Sequence, residues 1–314
     1  MISRRHTKLV NISQAISLVK NGSKLALGGL ELLNRPMYLV REVIRRGINR
    51  LVVMTTPCGS IDVDMLVGVG LVRELIAPRV SLGPFGTAPS VTKAISERTI
   101  KHSLIDGASL VAGYRAAACS LSAAAVPGSF VSAVRKESPL LREYLGPSGR
   151  PELAVRALTP DVAFIHAQES DEFGNGKQLG GTLYDLMIAK ASKRVVLQVD
   201  RIVSPEEIRG EPAGVSIPGV LVDYVVQGQM AAHPTASAFN YLQDEKEVWD
   251  YAAAAATKEG FDGYVRDRVR GAATQREYLA KIPAQRLAGL EEWWEKSSEA
   301  GSEGILGQED YFRR

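Results

Sequence analysis

The sequence predicts an α/β protein: an open, mostly parallel sheet sandwiched by helices, in the doubly wound manner. Three observations predict it. Short apolar runs recur at residues 24–30, 51–56, 72–76, 161–166, 194–199 and 220–226, and such runs suit strands buried on both faces. Helical patterns lie between several of them, the alternation that builds parallel sheets. Glycine-bearing loops follow the strand ends, where ligands of open α/β sheets bind.

In chain order, KLALGGL (24–30) reads as a strand ending in Gly28 and Gly29. The following segment, 34–47, reads as a helix. Asn34 can cap it, Pro36 suits its first turn, Met37, Val40 and Ile44 share a face, and Gly47 can end it. Strand 51–56 leads into Pro57-Cys58-Gly59-Ser60, a helix at 63–67 and a strand at 72–76. SLGPFGTAP (81–89) is the most loop-like part of the N-terminal half, and helices are expected at 91–100 and 110–119. Pro127, Gly128, Pro139, Gly146, Pro147, Gly149 and Pro151 predict a long irregular excursion over 127–151, a flap or interface loop. Strands return at 161–166, 194–199 and 220–226, with a helix at 183–191. From Asp244 onward the chain is mostly helical and charged. Residues 1–283 are therefore expected to form the α/β domain, and 284–314 a charged C-terminal tail bearing Trp293 and Trp294.

Composition narrows the function. Of the 314 residues, 45% are hydrophobic and 23% charged, which is ordinary for a globular chain and excludes a disordered or fibrous one. A net charge of +3 does not point to nucleic acid or an anionic membrane, though it leaves room for one basic patch toward a phosphorylated ligand. Two distant cysteines, Cys58 and Cys119, exclude a disulfide framework and fit a reducing compartment. No apolar run reaches the roughly 18 residues of a membrane span, and the N-terminus lacks a signal-peptide core. A soluble, cytoplasmic protein is expected.

Common catalytic motifs are missing: there is no GxxxxGK[ST], no GxGxxG after a strand, no GxSxG. His6, His102, His166 and His233 never fall at i, i+4 spacing, and no metal site is expected. What remains is glycine at strand ends: Gly28-Gly29, Gly59-Ser60, Gly83 with Gly86, and Gly174 with Gly176. Any one of these is more often a simple turn than a ligand contact. DVAFIHAQESDEFGNG (161–176) is more pointed, because its strand delivers His166 and Gln168 to the carboxyl end. His166 there either hydrogen-bonds a carbonyl or carboxylate of a ligand or satisfies backbone groups. Glu169, Asp171 and Glu172 read as a solvated loop.

At these residues the chain resembles the A (α) subunit of family I CoA-transferases, most closely the glutaconate type. The matching pieces are ALGGLELLNRP, LVVMTTPCGSIDVDMLVGVGLVREL, DVAFIHAQESDEFGNG with Gly180-Gly181, Ile-Pro-Gly at 217–219 and Ala-His-Pro at 232–234, in order over most of residues 10–280. The resemblance implies a CoA-transferase-like fold and a homologous B (β) subunit, in an α2β2 assembly or a multiple of one. It also implies a reaction that moves CoA between an acyl-CoA and a carboxylic acid. Coenzyme A is then a carrier substrate, with no permanently bound cofactor. A glutamate attacks the thioester, giving an anhydride and then a glutamyl-CoA thioester. In the glutaconate type that glutamate belongs to the B subunit, and no catalytic residue is expected in this chain; Glu31, beside the double glycine, reads as part of the helix start. The same resemblance implies that Gly28, Gly29, Ser81, Gly83, Phe85, Gly86, His166 and Gln168 face the acyl group or the partner's glutamate. Pro84 and Phe85 make the 81–86 loop stiffer and more apolar than a dicarboxylic substrate suits, so a bulkier, apolar acyl group is expected.

Two alternatives stay open. Similar proteins hydrolyse a C–C bond in a CoA thioester, opening a ring, and Asp106 before the alanine-rich helix could supply the carboxylate. Alternatively, the chain binds acyl-CoA without catalysis, since fold alone does not determine activity. A sugar-phosphate isomerase of related topology is not supported by the His-Ala-Gln and Ile-Pro-Gly matches.

Overall fold

In the computed structural model of the chain, residues 6–126, 138–181 and 183–299 are described, without the side chains of 293–299. Strands among them are, in chain order, Lys24–Leu27 (β1), Leu51–Met54 (β2), Val72–Ile76 (β3), Lys101–His102 (β4), Ala123–Val126 (β5) and Leu141–Leu145 (β6). Pro151–Arg156 (β7), Val162–Ser170 (β8), Gly176–Lys177 (β9), Val195–Ile202 (β10) and Tyr224–Gln227 (β11) complete the set. The main sheet runs β11-β10-β8-β1-β2-β3-β4, all parallel, with β9 antiparallel on β8. This is the open α/β sheet that the sequence predicts.

The strand order explains where a ligand site can form. From β1 the chain steps outward through β2, β3 and β4. It later returns to the other side of β1 and steps outward through β8, β10 and β11. The carboxyl ends of β1 and β8 thus flank a topological switch point, the place where the connecting loops diverge and leave a crevice.

Both faces of the sheet are covered. Alternate side chains of a strand face opposite ways, and β1 uses this plainly. Leu25 and Leu27 pack with Val40, Val43 and Ile44 of helix Met37–Arg46, whereas Ala26 joins Ile188 and Leu110 of helices Asp185–Ala191 and Gly107–Ala118 on the other face. Each fully buried Leu or Ile contributes about 1.5–3 kcal/mol of transfer free energy. No helix among the described residues is long and apolar enough to cross a membrane.

Four expectations need correction. The 127–151 excursion contains a hairpin: β6 and β7 pair antiparallel across a turn closed by Gly146 and Arg150, and with β5 they form a second, three-stranded sheet. The Gly and Pro residues at 146–151 are turn chemistry of that hairpin; residues 127–137 lie outside the described residues. The strand expected at 220–226 is confined to Tyr224–Gln227. Gly219–Leu221 is a 3₁₀ turn, held because Gly219 N–H donates to Asn175 Oδ1 and Lys8 Nζ donates to the Gly219 and Val222 carbonyls.

Asn34 does not cap helix Met37–Arg46. The orphan N–H groups of that helix find tertiary acceptors instead, Tyr38 on the Ala231 carbonyl and Leu39 on Gln198 Oε1, which frees Asn34 for other bonds. Nor does the body end at residue 283. Helix Ala284–Glu299 starts there, Leu287 and Leu290 pack on the cluster of Met230, Tyr241 and Tyr278, and Arg286 bonds Glu247. Residues 300–314 are outside the described residues.

Candidate functional site

Much of the backbone strain falls at the edge that the topology marks. Of the eight described non-glycine residues with positive φ, Glu31, Asn34, Met230 and Phe239 lie in loops leaving the carboxyl ends of β1 and β11 and Leu183 in the loop after β9, whereas Arg50, Arg98 and Ser120 precede β2, β4 and β5. Such conformations cost about 1–3 kcal/mol each and gather at functional sites.

Gly28 and Gly29 sit at the switch point, and packing explains both. A Cβ on Gly29, at φ +77°, would lie 2.4 Å from the Asn34 carbonyl oxygen, and one on Gly28 would lie 2.7 Å from Asp185 Oδ1. Their amides are committed inward: Gly28 N–H donates to the Phe164 carbonyl (2.8 Å) and Gly29 N–H to Asp185 Oδ1 (2.8 Å). Both N–H groups thereby staple the loop to β8 and to helix Asp185–Ala191. Burial pushes the Asp185 carboxyl up to about 6, against the pull of the Gly29 N–H and Gln178. Arg35, at the end of the same loop, is buried and paired with the equally buried Asp62.

His166 and Gln168 are also fully committed, and both are buried. Gln198 Oε1 accepts the Leu39 N–H, so its amide nitrogen faces His166 Nδ1 (2.9 Å). That leaves Nε2 as the protonated nitrogen, 2.9 Å from Ser237 Oγ and 3.3 Å from Asp200 Oδ2. Ser237 donates in turn to Asp200 Oδ2 (2.8 Å), which also accepts from Asn240. Gln168 donates to Asn34 Oδ1 and Ser237 Oγ and accepts the Leu179 N–H. Burial alone would push Asp200 up, but His166, Ser237 and the Ala231 N–H hold it below its ordinary value. Within the chain these side chains act as positioning residues that lock loops 28–35 and 231–241 together. The buried satisfied histidine is the other reading that the sequence leaves open.

The 81–86 loop closes over the β1 loop. Ser81 Oγ accepts the Gly83 N–H (3.0 Å), and the Ser81 carbonyl accepts from Ser60 Oγ (2.7 Å). Gly83, at φ +62°, lies against Leu32 and Glu31, while Gly86 borders open space. Phe85 meets the Trp249 ring edge-on at 6.3 Å, on helix Glu245–Ala255. That contact ties the 81–86 loop to the helix.

Sequence reading passes over a polar trio at the ends of β1, β2 and β3. Arg79 Nη2 donates to Glu31 Oε1 (3.0 Å) and Arg79 Nε to Cys58 Sγ (3.3 Å). Glu31 is not part of a helix start. Asp106 caps helix Gly107–Ala118 by accepting the Ser109 N–H (2.9 Å), and its other oxygen is buried with no hydrogen-bond partner among the described residues.

Fold and site together define an α/β protein whose parallel sheet reverses its strand order between β1 and β8, with the loops at that edge braced from beneath. The family model described as Coenzyme A transferase matches residues 9–228, and the chain belongs to that family. It is 29% identical over 303 residues to the A-type chain of the glutaconate CoA-transferase from Acidaminococcus fermentans, covering 90% of this chain and 94% of that one. The crystal structure of that organism's glutaconate coenzyme A-transferase superposes with a TM-score of 0.85 at 28% identity, over 90% of this chain and 95% of that one. The cholesterol ring-cleaving hydrolase IpdA subunit of Rhodococcus jostii is 30% identical over 295 residues, 90% of this chain and 97% of the relative. An uncharacterized protein of Archaeoglobus fulgidus is 28% identical over 282 residues, 88% of this chain, and the match spans 62% of that relative's length.

Proposed function

We propose that this chain is the α subunit of a heteromeric CoA-transferase, working with a homologous β subunit in an α2β2 assembly or a multiple of one. One observation supports the reading above all: the carboxylates described around the switch point are engaged. Asp185 is buried on the Gly29 N–H, and Asp200 is buried beneath His166. The attacking carboxylate then comes from the partner.

In this reading the partner's glutamate attacks the thioester carbonyl, CoA thiolate leaves, and an acyl-glutamyl anhydride forms. The thiolate attacks the glutamyl carbonyl, releasing the donor acid and leaving a glutamyl-CoA thioester. An acceptor carboxylate runs both steps in reverse and departs as the new acyl-CoA. Each step exchanges one acyl bond for another and needs no electron donor or acceptor. This chain contributes a rigid half of the cleft, because its loops are fixed by buried hydrogen bonds before substrate arrives. Free Cys58 and Cys119 suit a reducing cytoplasm.

The test is mass spectrometry of the purified complex after acyl-CoA treatment. A CoA adduct is expected on the partner, absent from this chain, and discharged by a carboxylic acid. Exchange by this chain alone, at the rate of the complex, would overturn the reading.

A second reading, hydrolysis of a C–C bond in a ring-bearing CoA thioester, is favoured by Asp106, whose buried oxygen without a partner could accept a proton from water. Turnover of such a thioester with no acceptor acid present, abolished by Asp106→Asn, would support it.

A further inference from the structure

Arg79 leaves the carboxyl end of β3 with a side chain 63% exposed, and its Glu31 partner is 34% exposed. A guanidinium fork suits a carboxylate gripped by two parallel bonds, yet Glu31 takes it through Oε1 and Nη2 alone, with Nε on the Cys58 sulfur. Glu31 reaches it from a backbone at φ +49°, beneath Gly83 of the 81–86 loop. An exposed pair of this kind is weak enough for a ligand to displace. Burial pushes the Cys58 thiol up, against the pull of Arg79, so no thiolate cancels the guanidinium charge.

We infer that Arg79 anchors the carboxylate of the acceptor acid, and that Glu31 is an internal carboxylate competing for the same guanidinium. The inference rests on the transferase reading, since that reaction takes a free carboxylic acid as a co-substrate and hydrolysis takes water. The chemical class recognised is an aliphatic carboxylic acid. Cys58 holds the Nε side of the fork, which leaves the Nη side for exchange between Glu31 and ligand.

The experiment is calorimetric titration of the complex with butyrate, and with butyramide as an uncharged probe of the same shape. Arg79→Gln should weaken butyrate binding at least tenfold, with partial recovery in Arg79→Lys. Glu31→Gln should tighten it about two- to fivefold, the worth of an exposed pair. Butyramide should bind no better than background in all variants. Opposite signs for the two substitutions are the signature, because a merely structural salt bridge would lose its effect from either side alike. Equal weakening by Glu31→Gln and Arg79→Gln, wild-type binding by Arg79→Gln, or no butyrate binding to the wild-type complex would overturn the inference. Butyrate binding with the predicted signs but no CoA adduct on the partner would retain the anchor and refute the transfer reading.

Discussion

The Asp185 carboxylate accepts the Gly29 N–H at 2.8 Å through one oxygen and the Gln178 amide at 2.6 Å through the other. A buried acid thus defines the shape of the double-glycine loop. Glycine is required there for the approach, and the acid is required to satisfy the amide that the approach buries.

Replacing Gly29 by Ala should therefore unseat the loop. Its methyl would meet the Asn34 and Leu33 carbonyl oxygens at 2.4 and 2.5 Å, in a backbone conformation that L residues avoid. A loss of about 1–3 kcal/mol is expected, read as a lower Tm, together with a raised KM for acyl-CoA.

Asp185 also makes stability depend on pH. Its folded value of about 6 lies above that of an unfolded aspartate, so the folded state binds more protons between those values. Its contribution is fully present at low pH and is lost as pH rises toward and through about 6. Relative to Asp185→Asn, wild type should lose about 2 kcal/mol between pH 4 and pH 7. Urea midpoints across that range measure the difference; parallel curves would contradict it.

The His166–Ser237 bond should show strong coupling. Removing either partner leaves buried polar groups short of a bond, at about 1–3 kcal/mol, whereas removing both shares that cost. A double-mutant cycle of His166→Ala and Ser237→Ala should give a coupling of about 0.5–3 kcal/mol. Additive losses would mean that the network does not act as a unit.

Phe85→Leu tests the acyl pocket. Because the ring packs on Trp249, acyl-chain preference should stay unchanged across a chain-length series. The aromatic contact itself should cost about 0.5–1.5 kcal/mol in unfolding measurements. A shift in chain-length optimum would return Phe85 to the site.

Much of this molecule is local and legible in residues 24–227 in order. β1, β2, β8 and β10 are largely apolar runs buried on both faces over most of their length, and that requirement is written into each segment by itself. The double glycine and the 81–86 loop stand out because glycine best tolerates the positive φ of Gly29, Gly83 and Gly86 and the close approach of Gly28 to Asp185. The hairpin of β6 and β7 is less legible, since its turn residues look the same in a hairpin as in an irregular loop.

Chemistry assembled across the chain is a different matter. Glu31, Cys58 and Arg79 lie 27 and 21 residues apart, and no spacing rule joins them; they meet because parallel strands end at one edge. His166 and Gln168 are legible at a strand end, but their direction depends on Gln198, Ser237 and Asn34, each from a different segment. Local pattern specifies which residues must be buried or bent, since propensity and hydrophobicity act over a few neighbours. Which polar atoms are consumed and which remain for a ligand follows from long-range pairing, because a hydrogen bond between distant segments exists once the sheet order has brought them together.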